Sequence, residues 1–121
     1  MLKILVVDDS ECCRKPMARL MRSEGYEASC ACNGLEALES LDAAEPALIL
    51  LDLAMPVMDG VTFLTHLHDH PRWKSLPVIV VSGESSGPTD KARELGAKEV
   101  FVKTKFSTDD LCASIRLYLH A

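Results

Sequence analysis

Short apolar runs alternate with stretches of helical period along the whole chain. The strand-length runs cover residues 2–7, 26–31, 47–51, 78–81 and 100–102. The first from Ile4 on, the third and the fourth are continuously apolar rather than alternating, as expected of strands buried on both faces of a parallel sheet. Between them lie five segments that read as helices. The first covers 11–24 and stops at Gly25; Pro16 falls beyond its first turn and predicts a kink or a delayed regular start. The second, 35–41, follows Asn33-Gly34, and the recurrence of Leu35, Leu38 and Leu41 at spacing three predicts that these leucines face the core. The third, 61–68, ends ahead of Pro71, and the fourth, 89–95, ends at Gly96. Ser107, with Asp110 three residues on, reads as the N-cap of a last helix reaching about residue 119, with Leu111, Ile115 and Leu119 as its buried stripe and Cys112 beside them.

Strand-helix alternation of this kind implies βαβ units with right-handed crossovers. The expected fold is α/β: a flavodoxin-like, doubly wound, five-stranded parallel sheet of order 2-1-3-4-5 with five helices in a three-layer α/β/α arrangement. The length of 121 residues suits one domain, spanning 1–121.

Charge and composition narrow the function classes. A net charge of -5, from 13 Lys+Arg against 18 Asp+Glu, offers no basic footprint for a phosphate backbone, so no direct nucleic-acid contact is expected. The longest apolar stretches, 4–7 and 47–51, fall far short of the roughly 20 residues that span a bilayer. No secretory signal pattern follows Met1, and a cytoplasmic location is expected. Five cysteines, with Cys12-Cys13 adjacent and Cys30-x-Cys32, do not match redox or zinc spacing and read as reduced packing thiols. His66, His68 and His70 read as a polar helix end beside Pro71 rather than as metal ligands.

The chemistry-bearing residues fall where the strands end. Asp8 and Asp9 follow the first strand, Asp52 the third, Ser82 the fourth and Lys103 the fifth. Doubly wound sheets bind ligands at the carboxyl ends of their strands, so these residues should converge at one edge. Taken singly, each has a bland reading: an acid that caps a helix, a solvated lysine, a serine that opens a turn. Their joint placement is not explained that way. Three crowded carboxylates repel one another, and a divalent cation resolves the conflict. Oxygen-only ligands favour Mg²⁺ or Mn²⁺ over zinc. Asp9 and Asp52 would coordinate directly, the backbone carbonyl of Ala54 could add an oxygen, and Asp8 would act largely through water. Asp52 is the candidate nucleophile for a phosphoryl group, Lys103 the cation that neutralises it, and Ser82 a hydroxyl that can bind it.

The segments ILVVDDS (4–10), NGLEAL (33–38), LLDLAMPVMDG (50–60), PVIVVSG (77–83) and GAKEVFVK (96–103), followed by Phe106, resemble the response-regulator receiver family over essentially the whole chain. The resemblance places the family's acidic pair on Asp8 and Asp9, its phosphoacceptor on Asp52, its switch hydroxyl on Ser82 and its lysine on Lys103, with Pro56 and Gly60 as turn residues. It implies a phosphorylation switch that takes its phosphoryl group from a sensor histidine kinase or histidine phosphotransfer protein and catalyses only its own phosphorylation and dephosphorylation. The implied output is an unidentified protein target gripping the surface of helix four, strand five and helix five, and the implied state is a monomer or weak homodimer.

Two positions depart from the family pattern. Val100 stands where an aromatic residue is usual, and Phe101, one residue later, should point to the opposite face. Thr104 stands where proline usually follows the lysine, which predicts a trans Lys103–Thr104 bond. Ala54 and Glu84 occupy positions that tune dephosphorylation in similar domains. Three other classes are weighed against the switch. A metal-dependent phosphatase would want a second acid at Ala54; a nucleotide or flavin binder would want Gly, Ser or Thr where Asp8 and Asp9 stand; a phosphate-independent scaffold would fit Val100 and Thr104 but not the intact acids.

Overall fold

A computed structural model describes residues 1–83, 87–103 and 105–120. Ten elements alternate strictly: β1 (Lys3–Val7), α1 (Glu11–Ser23), β2 (Glu27–Ala31), α2 (Gly34–Ala43), β3 (Leu48–Leu51), α3 (Gly60–Asp69), β4 (Val78–Ser82), α4 (Gly87–Glu94), β5 (Glu99–Val102) and α5 (Thr108–His120). The strands form one parallel sheet in the order β2-β1-β3-β4-β5. This is the flavodoxin-like order expected from the sequence.

Side-chain alternation along the central strands divides the core in two. Leu5, Val7, Ile49, Leu51, Val78 and Val80 pack on one face with Ala37 and Leu41 of α2, Phe63, Leu64 and Leu67 of α3, and Ala92 of α4. Ile4, Val6, Leu48, Leu50, Ile79 and Val81 pack on the other with Met21 of α1 and Leu111 and Ile115 of α5. Burial on both faces explains why these three strands are continuously apolar.

Local signals set the helix ends. At the end of α1, Gly25 has φ of 91°, its N–H donates to Arg22 O, and the Tyr26 N–H donates to Met21 O. These are the paired bonds of a Schellman stop, and Tyr26 and Met21 share the same core cluster. Gly96 repeats the device after α4: φ is 101°, and Gly96 and Ala97 donate to Arg93 and Ala92. The Asn33 side chain accepts from Glu36 N at 2.8 Å, and Ser107 Oγ accepts from Asp110 N at 3.1 Å, which opens α2 and α5.

Three local expectations are corrected. Helix α1 starts regularly at Glu11 and continues past Pro16 rather than starting late, its first turn being set by the Cys13 and Arg14 N–H groups on the Ser10 carbonyl. In α2 the buried face is Gly34, Ala37 and Leu41, while Leu35 is exposed. Positions 35 and 41 lie about 120° apart around a helix, so they cannot share a narrow stripe. Only Cys112 among the cysteines is buried; Cys12, Cys30 and Cys32 are exposed and Cys13 is partly so, all as free thiols. The stripe of α5 holds, with Leu111, Cys112 and Ile115 buried and Leu119 packed at its edge. Among the described residues, no helix is long and apolar enough to cross a membrane.

Candidate functional site: an acidic cluster with a lysine

The parallel register brings the carboxyl ends of β1, β3, β4 and β5 to one edge. Val7 lies opposite Leu51, and the Asp52 N–H continues the ladder by donating to the Val7 carbonyl at 2.9 Å. Ser82 pairs with Val102, and the Lys103 N–H donates to the Ser82 carbonyl at 2.7 Å. Backbone pairing therefore fixes the bases of all these side chains.

Asp8, Asp9 and Asp52 each place a carboxylate oxygen within 4.8 Å of the others. Asp8 and Asp52 are buried, as is Ser82, whereas Asp9 is exposed. Asp8 is held at both ends: Oδ1 accepts from the Ser10 N–H at 2.9 Å, and Oδ2 accepts from Lys103 Nζ at 3.0 Å. The first contact is an Asx turn, which aims the Asp8 carboxylate as the chain enters α1. Arg14 donates to the Asp8 carbonyl at 2.9 Å and ties α1 to the same turn. Lys103 Nζ is 3.8 Å from Asp52 Oδ2 and bridges the two buried acids.

The electrostatics follow from this geometry. Burial, reinforced by the neighbouring Asp8 charge, pushes the Asp52 carboxyl up to about 6; Lys103 and a hydrogen bond from the Ala54 backbone oppose the rise, and Asp9 adds to it. Burial alone would lower the Lys103 ammonium, but its hydrogen bond to Asp8 and the charges of Asp52 and Asp8 outweigh that and raise it. One lysine among three carboxylates leaves an excess of negative charge whose oxygens are spaced for a shared cation. The donor set is oxygen only, which suits a hard divalent ion.

An open cleft of about 820 Å³ lies over these groups, lined by Asp9, Asp52, Ala54, Ser82 and Lys103 together with the loop after β3. That loop is tightly built. Asp59 caps α3 by accepting from Thr62 N at 2.8 Å. The Gly60 N–H donates to Leu53 O at 2.9 Å, and a Cβ at Gly60 would meet Asp52 O at 2.6 Å and Leu53 Cα at 2.7 Å. Only glycine lets α3 start this close to the Asp52 backbone.

Residues 4–116 match the family described as the response regulator receiver domain. The chain belongs to that family. Among curated relatives, the sensory transduction protein RegX3 of Mycobacterium tuberculosis is 37% identical over 121 residues, covering 98% of this chain and 51% of RegX3. PilG of Pseudomonas aeruginosa is 29% identical over 119 residues, covering 98% of this chain and 87% of PilG. The chain thus spans about half the length of the RegX3 proteins it matches. Among solved structures, the chemotaxis protein CheY4 of Vibrio cholerae superposes with a TM-score of 0.88 at 30% identity, covering 98% of this chain and 99% of that one. The response regulator TrrA of Thermotoga maritima, in complex with Mg²⁺-BeF, superposes with a TM-score of 0.87 at 30% identity, covering 98% and 100%. The cluster of Asp8, Asp9 and Asp52 beside Lys103 resembles the phosphorylation and metal site of receiver domains and is consistent with a phosphoacceptor switch and a divalent metal.

The residues singled out by sequence therefore meet at one edge. The β5 departure also takes the form expected. Val100 packs with the α4-side core, while Phe101 packs with the α5-side core and lies 5.2 Å from the Phe106 ring, centroid to centroid. The Lys103–Thr104 bond and Glu84 lie outside the described residues. His66 and His68 are exposed on the last turn of α3, and His70 stacks on Trp73 at 3.9 Å, without forming a metal cluster among the described residues. Sequence reading missed Ser10, Arg14 and Asp59. Asp two residues ahead of a serine N-cap is the signal that could have found the Asx turn, and Asp59 before Gly60 the one that could have found the cap.

Proposed function

We propose that residues 1–121 form a receiver domain in which Asp52 accepts a phosphoryl group from a histidine kinase or a histidine phosphotransfer protein in the cytoplasm. The observation that carries this reading is the buried Asp52 carboxylate with Lys103 Nζ at 3.8 Å and the Asp8 and Asp9 carboxylates beside it. At neutral pH a carboxyl of pKa about 6 is mostly ionised, so an Asp52 oxygen is available as a nucleophile. The new P–O bond forms as the P–N bond of the donor phosphohistidine breaks, and the leaving imidazole nitrogen keeps the electron pair and takes up a proton. Lys103 neutralises the incoming phosphoryl oxygens, and the Ser82 hydroxyl binds one of them. Asp9, Asp52 and the Ala54 carbonyl would hold Mg²⁺ or Mn²⁺, with Asp8 acting through water. The bound ion would supply charge neutralisation to the phosphoryl oxygens.

Phosphorylation would then shift Lys103 and Ser82 toward the new group and bias the surface of α4, β5 and α5 that a protein target reads. The test is chemical. Label acquired from acetyl phosphate with Mg²⁺ should be released by hydroxylamine, as an acyl phosphate is; hydroxylamine-resistant label would place the phosphoryl group elsewhere.

A further inference from the structure

Behind the phosphoryl cleft, on the α1 and α5 face of the sheet, lies a second cavity of about 310 Å³, as open to solvent as the first. Val6, Leu50 and Val81 line it from the sheet, Met17 and Leu20 from α1, and Phe106 from the segment before α5. Asp8, Asp52, Lys103 and Thr108 supply the polar part of its wall, and Asp52 and Lys103 also line the cleft. The volume has a sequence origin. The first turns of α1 present Cys13 and Pro16 here, too small to fill the space above the strand ends, and Phe106, paired with Phe101, lies along the cavity wall.

We propose that this cavity is a binding site for a small uncharged, mainly apolar molecule between benzene and indole in size, with at most one polar group turned toward Asp52 and Lys103. Size allows this: the space exceeds the volume, about 150 Å³, of an enclosed apolar cavity that takes up benzene. Chemistry supports it too, because a mainly apolar wall with a few convergent polar groups is the usual make-up of a small-molecule site. A charged ligand is disfavoured, since Asp8 and Lys103 are already paired at 3.0 Å and the remaining wall offers too few polar partners to replace water. Asp52 and Lys103 border both spaces, so a difference in cavity affinity between the phosphorylated and unphosphorylated chain would link the two events. That linkage rests on the proposed receiver function; the binding itself does not.

The experiment is a titration of the full chain with indole, without phosphodonor, followed by methyl NMR. Saturable shifts at Met17, Leu50 and Val81 are expected. Cys13→Phe or Met17→Phe, which place a ring in the space, should weaken binding at least about fivefold. Shifts that do not saturate, shifts scattered over the exposed surface, or undiminished affinity in a folded ring-filled variant would overturn the proposal. If either variant fails to fold, the wild-type shift map decides. Acetyl phosphate labelling and beryllofluoride binding are run in parallel: indole binding with neither would count against the phosphoacceptor role proposed for Asp52 and leave the cavity site standing.

Discussion

Lys103 Nζ sits 3.0 Å from Asp8 Oδ2 and 3.8 Å from Asp52 Oδ2, so the lysine leans toward the acid that is also anchored by Ser10 rather than toward the candidate nucleophile. One face of Asp52 stays open to the cleft while its charge is still partly compensated. Replacing Lys103 with Met leaves two buried carboxylates without a cation. Removing one partner of a half-buried pair should lower unfolding stability by about 1–3 kcal/mol in metal-free buffer. Added Mg²⁺ should then raise the melting temperature of the variant more than that of the wild type, which thermal denaturation with and without the ion will show.

Asp52 makes stability depend on pH. Its folded pKa of about 6 exceeds its ordinary value of 3.8, so the native state holds this proton longer than the unfolded chain. The stabilisation this gives is fully present below pH 3.8 and is lost as pH rises through about 6. At pH 7 the metal-free protein is therefore destabilised by about 2–3 kcal/mol relative to a neutral group at the same position. Asp52→Asn should be more stable than wild type above pH 6 and should flatten this part of the profile, as measured by urea unfolding across the pH range.

Val57 occupies the left-handed region with φ of 66°, while the Met58 N–H closes a three-residue turn on the Pro56 carbonyl at 2.7 Å. A β-branched residue is strained there, and the Val57 side chain is exposed and gains nothing from packing. Val57→Gly should stabilise by about 0.5–1 kcal/mol, the relief of strain exceeding the added freedom of the unfolded chain. Chemical denaturation measures the difference.

Gly60→Ala should do the opposite. Its Cβ would meet backbone atoms of Asp52 and Leu53 that cannot swing aside, so we expect a loss of about 2 kcal/mol or more together with a displaced Asp52. Parallel unfolding and acetyl phosphate labelling will show whether both fall together.

Much of this fold is legible because each strand carries its own chemistry at its end. The apolar runs before Asp8, Asp52, Ser82 and Lys103 mark where the backbone points these groups, and parallel order does the rest. Phe101 was also readable, since strand period alone sends it to the face away from Val100. Leu35 was misread because three-residue spacing drifts around a helix; the stripe of Gly34, Ala37 and Leu41 stays on one face by alternating steps of three and four.

Other features depend on contacts that no local pattern encodes. Gly34 must be small because α2 starts against Met58, whose Cγ would lie 2.8 Å from a Cβ at that position. The preference of Lys103 for Asp8 reflects the loop after β5 meeting the Asx turn after β1, 95 residues apart. The cavity behind Asp52 likewise arises from small side chains on α1 facing a ring contributed from before α5.

Intact-mass analysis after incubation with acetyl phosphate tests the central claim most directly, comparing wild type with Asp52→Asn and buffers with and without Mg²⁺. One added phosphoryl mass on the wild type, absent from Asp52→Asn and absent without the metal, is the predicted result. An adduct that persists in a folded Asp52→Asn protein would contradict the account.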